Sequence, residues 1–393
     1  AHVYQAILDR EAHVNQIEYL TTLAGYVHWY LTGEKVVGIG EASGMFPIDV
    51  SNKAYRSDLL NTANDLFKGK GFEKSVSAIV PEIKLAGESG GRLTSEGATL
   101  LDPSGNLEAG SVMCPPEGDA GTGMVATNTV AQNTGNISAG TSAFAMVVLS
   151  DALKGMYPEI DVVTTPDGSE VAMIHTNNCT SDINDWMNIF GEVLSVMGVD
   201  FSSDKLYGQI FERSLESDDN IGGLLSYNYV SGENITDVET GYPLFVREPN
   251  YNFNLANFMK MHLYSAFSTL KIGMDLLKNN ESINIDKLIA HGGIFKTKGV
   301  AQQVLSSALE NKITVMDTAS EGGAWGVSVL AYYTAQESQQ SLATFLNEVV
   351  FLNTEEVTTE PVEQEVINFN NYVEKVKKGL PIEQSIAKYL GGK

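Results

Sequence analysis

Three short stretches of this 393-residue sequence carry residue types suited to chemistry. In "PPEGDAGTGM", Asp119 stands between Gly118 and Ala120. A carboxylate on a tight glycine turn can accept the proton of a hydroxyl nucleophile, and Ala120, Gly121 and Gly123 would let a ligand approach the backbone. The plain alternative is turn chemistry alone, since Asp and Gly both tolerate turn dihedrals. Further on, Gly140-Thr141-Ser142 reads as the tip of a β-hairpin. Its backbone N–H groups and hydroxyls can hold a phosphate, although the same three residues also make an ordinary hairpin. The third stretch, Gly292-Gly293, follows the strand-like "KLIA" and precedes a helix. A flat ring or a sugar can lie on the bare backbone of such a junction, or it can be a simple strand-ending turn.

Other chemistries lack their signatures. The sequence has no GxxxxGK[ST] loop, no HExxH pair and no GxSxG elbow. The histidines, His2, His13, His28, His175, His262 and His291, do not pair with cysteine at ligand spacing, so no zinc site is expected and no metal-ligating residue is assigned. His262 falls inside a long apolar helix and reads as core or surface. Asn177-Asn178 precede a helix starting near Asp182 and are suited to capping it.

The elements that must position these residues alternate between strand and helix, which indicates an α/β architecture. Residues 3 to 31 read as two helices, the second stopped by Thr32-Gly33. Residues 72 to 114 mix short strands with glycine turns. From Thr127 the pattern becomes strand, tight turn, strand through "NTGNISAGTSAFAMVVL". Helices follow at "DWMNIFGEVLSVMG", "KLYGQIFERSLES" and "NLANFMKMHLYSAFSTLKIGMDLL". "ITVMD" is a further strand, and "EGGAWGVSVLAYYTA" a small-residue helix able to lie very close to a sheet. The acidic "TEEVTTEPVEQEV" reads as an exposed connector before a last helix around "FNNYVEKVKKGL". Two domains are expected from the length, 1–131 and 132–393, the second carrying a C-terminal helical extension.

Composition narrows the partners. The formal net charge is −24, from 25 Lys and Arg against 49 Asp and Glu. A nucleic-acid surface needs clustered cations and none is visible, so no nucleic-acid partner is expected. A small anion held by backbone N–H groups remains compatible with that charge. Two cysteines give no disulfide framework and suit a reducing cytoplasm, the expected location. No run of 18 apolar residues exists, so no membrane partner is expected. The first residues read as the middle of a helix, and the chain is expected to begin inside a domain.

The order of the motifs is more telling than any one of them. The series "WYLTGEKVVGIGEASGMFPID", "PPEGDAGTGM", "NISAGTS", "MIHTNNCTSDINDWM", "GLLSYNYVSGENIT", "KLIAHGGIFKTKGVAQQVLSSAL" and "ITVMDTASEGGAWGVSVLA" resembles the FGGY carbohydrate kinases, over roughly residues 16 to 335. The resemblance implies two actin-like (ribonuclease-H-like) domains around a cleft that holds ATP and a sugar. It makes Asp119 the catalytic base, Gly140, Thr141 and Ser142 a phosphate hairpin, and Gly292-Gly293 the adenosine turn. It further implies Mg2+ and a sugar substrate, with xylulose or another ketopentose foremost. The apolar C-terminal helices leave room for a homodimer. The chain departs from the family in three places. The opening DxGTTS hairpin, whose Asp lies near the magnesium, is not found, so the first domain is expected to be truncated at its N-terminus. "SGENIT" has Asn234 where the family usually has Arg, and "LFVREPNYNFNLANFMKMHLYSAF" lacks the characteristic glycines. An actin-like ATPase or regulator without sugar turnover is the competing expectation.

Overall fold

The computed structural model describes residues 2–316, 322–336 and 340–391. The chain forms two compact units. The first comprises 1–132, 162–171 and 321–352, and the second 133–161, 172–320 and 353–393.

The first unit is mainly helical. A short parallel pair, Val36–Gly38 with Glu82–Lys84, leads into the helix Ile39–Met45. One apolar cluster gathers Ile7, Val14, Phe67, Phe72, Val76 and Ile79. The small-residue run after Gly118 is a helix, Asp119–Ala126, rather than the expected loop. Glycines at 121 and 123 disfavour a helix in isolation, so this one depends on packing. Its partner is the helix Gly322–Ala335, expected from sequence to lie against a sheet. A Cβ on Gly326 would overlap the Thr122 carbonyl, so only glycine admits the approach. Asp317 of the expected strand and Glu321 at the head of this helix lie outside the described residues.

A seven-stranded sheet runs through most of the second unit, with residues 162–164 and 170–171 of two of its strands counted in the first. In chain order its strands are β1 (Thr134–Ala139), β2 (Ala143–Val148), β3 (Ile160–Thr164), β4 (Glu170–Thr176), β5 (Lys287–His291), β6 (Ile313–Met316) and β7 (Glu356–Thr359). Across the sheet the order is β7-β6-β5-β1-β2-β4-β3. β5 runs parallel to β1 and β6, and the β1–β2 hairpin is antiparallel. Alternate residues Ile137, Ala139, Ala145, Leu288 and Ala290 bury one face in a core shared with the helices Leu255–Leu276 and Val300–Leu309. Leu255–Leu276 is buried on nearly every side, which is why its apolar residues are not confined to one stripe. His262 is core, 1 % exposed, with its Nδ1 3.0 Å from the Asp182 carboxylate and its ring against Phe258.

The acidic tail is not a free connector. Residues 356–359 pair antiparallel with β6 as the edge strand β7, and Gln302 Nε2 donates to the Val357 carbonyl. The β-branched Val357, Thr358 and Thr359 suit a strand, while the acidic neighbours stay exposed at the edge. The final helix spans Glu363–Leu390 and docks through Phe369, Tyr372, Val373 and Val376.

Candidate nucleotide and base sites

In the second unit the β1–β2 hairpin turns at Gly140-Thr141-Ser142. Gly140 N–H donates to the Ser142 carbonyl at 2.9 Å. The segment after β4 pins this turn from the inside. Cys179 N–H donates to the Thr141 carbonyl at 2.9 Å, and both Thr180 N–H and Thr180 Oγ1 donate to the Gly140 carbonyl, at 3.1 and 2.8 Å. These hydrogen bonds hold the hairpin tip from the protein side and leave the Thr141 and Ser142 N–H groups for a ligand.

Asn177-Asn178 do not cap the following helix, whose N-cap is Thr180. They lock the segment to the "SGENIT" loop instead. The buried Glu233 carboxylate accepts from Asn177 N–H at 2.9 Å and Asn178 Nδ2 at 3.1 Å, and Asn178 Oδ1 accepts from Ser231 N–H at 3.0 Å. Burial pushes the Glu233 carboxyl above the usual carboxylate range.

The two glycines after β5 do different work. Gly292 has φ 126°, and a Cβ there would overlap the Ala139 carbonyl on neighbouring β1. A Cβ on Gly293 would meet nothing within 4 Å, because it would project into a cavity of about 930 Å³. Gly140, Thr141 and Gly293 line that cavity, while Ser142 and Gly292 do not. Ile183, Phe211 and Ile294, all nearly inaccessible to solvent, give it an apolar floor. Its polar wall includes Tyr207, whose hydroxyl donates to Asn184 Oδ1 at 2.9 Å. Lys296 and Lys298 bring positive charge to the rim, with Asp204 and Glu212 also on the wall. A pocket of this size, with an apolar floor, few polar groups and rigid backbone at one end, suits a molecule with a flat ring and an anionic tail.

In the first unit, Asp119 is the first residue of its helix and is exposed. Its carboxylate makes no hydrogen bond or ion pair among the described residues, whereas the Thr122 hydroxyl donates to the Gly118 carbonyl at 3.0 Å and steadies the first turn. Gly121 serves packing rather than ligand approach, since a Cβ there would lie 3.2 Å from Pro166 Cγ.

The profile of the FGGY family of carbohydrate kinases, C-terminal domain, matches residues 135–335, a little over half of the sequence. The chain belongs to the FGGY family of carbohydrate kinases. It is 20% identical over 350 residues to the xylulose kinase of Haemophilus influenzae, covering 89% of this chain and 65% of that protein. The chain thus spans 65% of the length of this curated relative. Among solved structures, the ligand-bound xylulose kinase from Lactobacillus acidophilus superposes with a TM-score of 0.75 at 14% identity, covering 100% of this chain and 73% of that one. The glycerol kinase of Plasmodium falciparum with ADP gives 0.70 at 14% identity, covering 95% and 71%. These likenesses establish the fold: the two-domain, actin-like (ribonuclease-H-like) α/β architecture of the FGGY kinases.

Several cavity residues escaped sequence reasoning. Thr180 supports the hairpin from the segment after β4, and Tyr207 comes from the helix Ser203–Arg213. Neither carries a local motif. Lys296 and Lys298 had a signal that was passed over, two cations just past a glycine pair in an otherwise acidic chain.

Proposed function

We propose that this FGGY protein transfers the γ-phosphoryl group of ATP to a hydroxyl of a sugar or polyol, with xylulose or another ketopentose as the first acceptor to test. One observation carries the reading: two glycine turns far apart in sequence, at 140–141 and 293, line the same cavity, and that cavity has the size and lining of a nucleoside phosphate site. The named activities of the relatives, xylulose kinase and glycerol kinase, support a hydroxyl acceptor and leave its identity open between ketose and polyol.

In this reading the apolar floor of Ile183, Phe211 and Ile294 takes the nucleobase, and the pinned hairpin at Gly140, Thr141 and Ser142 takes phosphate oxygens through the Thr141 and Ser142 N–H groups and hydroxyls, the Gly140 N–H being held by the Ser142 carbonyl. Gly292-Gly293 keeps side chains away from the nucleoside. Asp119 accepts the proton of the attacking sugar hydroxyl. Phosphoryl transfer needs positioning and charge neutralisation more than covalent chemistry, so one carboxylate and many backbone donors suffice. Magnesium, which the family implies, would neutralise phosphate charge. Among the described residues no group of three His, Cys, Asp or Glu forms a metal site by itself, so no step is assigned to it. Two free cysteines and no helix, among the described residues, long and apolar enough to cross a membrane support a cytoplasmic enzyme. Exposed apolar residues such as Val196 and Met197 leave surface for a homodimer.

Calorimetric titration with ADP tests the nucleotide half of this reading. Saturable binding at one site per chain is expected. Absence of heat and of any thermal stabilisation up to millimolar ADP would remove the cavity from the function.

A further inference from the structure

Glu117, two residues before Asp119, is partly buried and unused by the scheme above. Its Oε1 accepts from Gly40 N–H at 3.1 Å and its Oε2 from Glu41 N–H at 2.8 Å, at the N-terminal turn of the helix Ile39–Met45. Gly38 N–H adds a third link, donating to the Pro116 carbonyl at 2.8 Å. The glycines of "GIGEAS" make room for this carboxyl, because a Cβ on Gly38 would overlap it and one on Gly40 would lie 2.5 Å from Oε2. The same oxygen lies 3.3 Å from where a Cβ of Gly121 would be, in the first turn of the Asp119 helix. Glu117 therefore sits between the first turns of two helices, and one of those helices begins with the proposed base.

We propose that Glu117 is a positioning residue for Asp119, holding the helix that begins with the base against the 38–41 turn. This rests on the reading of Asp119 as the base. Loss of the carboxyl would leave the Gly40 and Glu41 N–H groups without acceptors and free the loop to shift, and small misplacements of a general base cost turnover rather than nucleotide affinity.

The clamp also carries a pH dependence. Burial, with the nearby Glu41 carboxylate adding repulsion, pushes the Glu117 carboxyl up to about 8, against the pull of its two N–H donors. Its other titratable neighbour is Cys114, whose thiol burial pushes up to about 11. Burial thus favours the neutral carboxyl around neutral pH. Because its folded pKa is raised, the stability it contributes is fully present below about pH 4.5 and is lost as pH rises to about 8. Burial, with Glu41, opposes ionisation more than the two N–H bonds favour it, so the folded clamp prefers the neutral carboxyl.

The test uses full-length protein and compares Glu117→Ala, Glu117→Gln and Asp119→Asn. Glu117→Ala should lower kcat by about tenfold or more with KM for ATP unchanged. Glu117→Gln, which keeps the shape and one acceptor oxygen but turns an NH2 group toward the second N–H, should recover only part of that loss at pH 7. It should also abolish the fall in kcat, and in melting temperature, that the wild type shows on the approach to pH 8 and beyond. Wild-type kcat in Glu117→Ala, or an alkaline fall that persists in Glu117→Gln, would overturn the proposal. If Glu117→Ala does not fold, the pH profile of Glu117→Gln decides alone by the same two outcomes. Full turnover by Asp119→Asn would show instead that the base is elsewhere, leaving Glu117 nothing to position.

Discussion

Replacing Asp119 by asparagine is expected to lower kcat by about 10²–10⁴-fold while leaving ADP affinity unchanged. Asparagine has nearly the same shape but cannot accept the hydroxyl proton, so the attacking oxygen would have to lose it to solvent. The site makes this a clean test. The carboxylate is exposed and has no partner among the described residues, and its only expected structural role is to complement the N-terminus of its helix. That role is worth about 0.3–1 kcal/mol at most exposed positions, too little to unfold the protein. A melting temperature close to wild type alongside collapsed turnover would therefore locate the loss in chemistry. Near wild-type kcat on the true acceptor would refute the base assignment. The rival reading, an actin-like ATPase or regulator that transfers nothing to a sugar, predicts instead no acceptor turnover in either protein.

The second large effect separates two adjacent glycines. Gly292→Ala should destabilise the second unit by at least about 2 kcal/mol, measured by chemical denaturation. Its φ of 126° is a backbone region that side chains avoid, and the new Cβ would overlap the Ala139 carbonyl. Ala139 ends β1, so relief of that overlap must disturb the pairing of β1 with β5 next to the phosphate hairpin. Gly293→Val should do the opposite. Nothing lies within 4 Å of its Cβ position, so the fold should persist with an unchanged melting temperature in the absence of nucleotide. The branched side chain would fill cavity space, and the Kd for ADP should rise by about tenfold or more. Calorimetry on folded Gly293→Val showing wild-type affinity would move the nucleotide out of this cavity. A fully stable Gly292→Ala would show that the strand end can relax.

How much of this was legible beforehand follows from where each signal resides. Gly140-Thr141-Ser142 and Gly292-Gly293 were readable because a tight turn between apolar strands announces itself locally, and both turns line one cavity through Gly140, Thr141 and Gly293. Asp119 was readable as a lone carboxylate among small residues, but its helix was not. Gly121 and Gly123 look like loop, and what makes them helical is the helix Gly322–Ala335 about two hundred residues away. β7 was missed for a related reason. Its sequence is acidic and exposed, and only pairing with β6 makes it a strand. The roles of Asn177, Asn178 and Glu233 lie in contacts between segments more than fifty residues apart, which no spacing rule reveals. Glu117 lay two residues from the predicted base, yet the role proposed for it depends on the distant Gly40 and Glu41 amides.

The most direct measurement of the central claim is acceptor-dependent ADP release by the full-length protein with ATP and Mg2+, across xylulose, other ketopentoses, hexuloses, gluconate and glycerol. The account expects ADP to form only when an acceptor is present, in equal amount to a phosphorylated sugar or polyol, and to be lost in Asp119→Asn. ADP release indifferent to every acceptor, or tight nucleotide binding with no phosphorylated product from any of them, would contradict it.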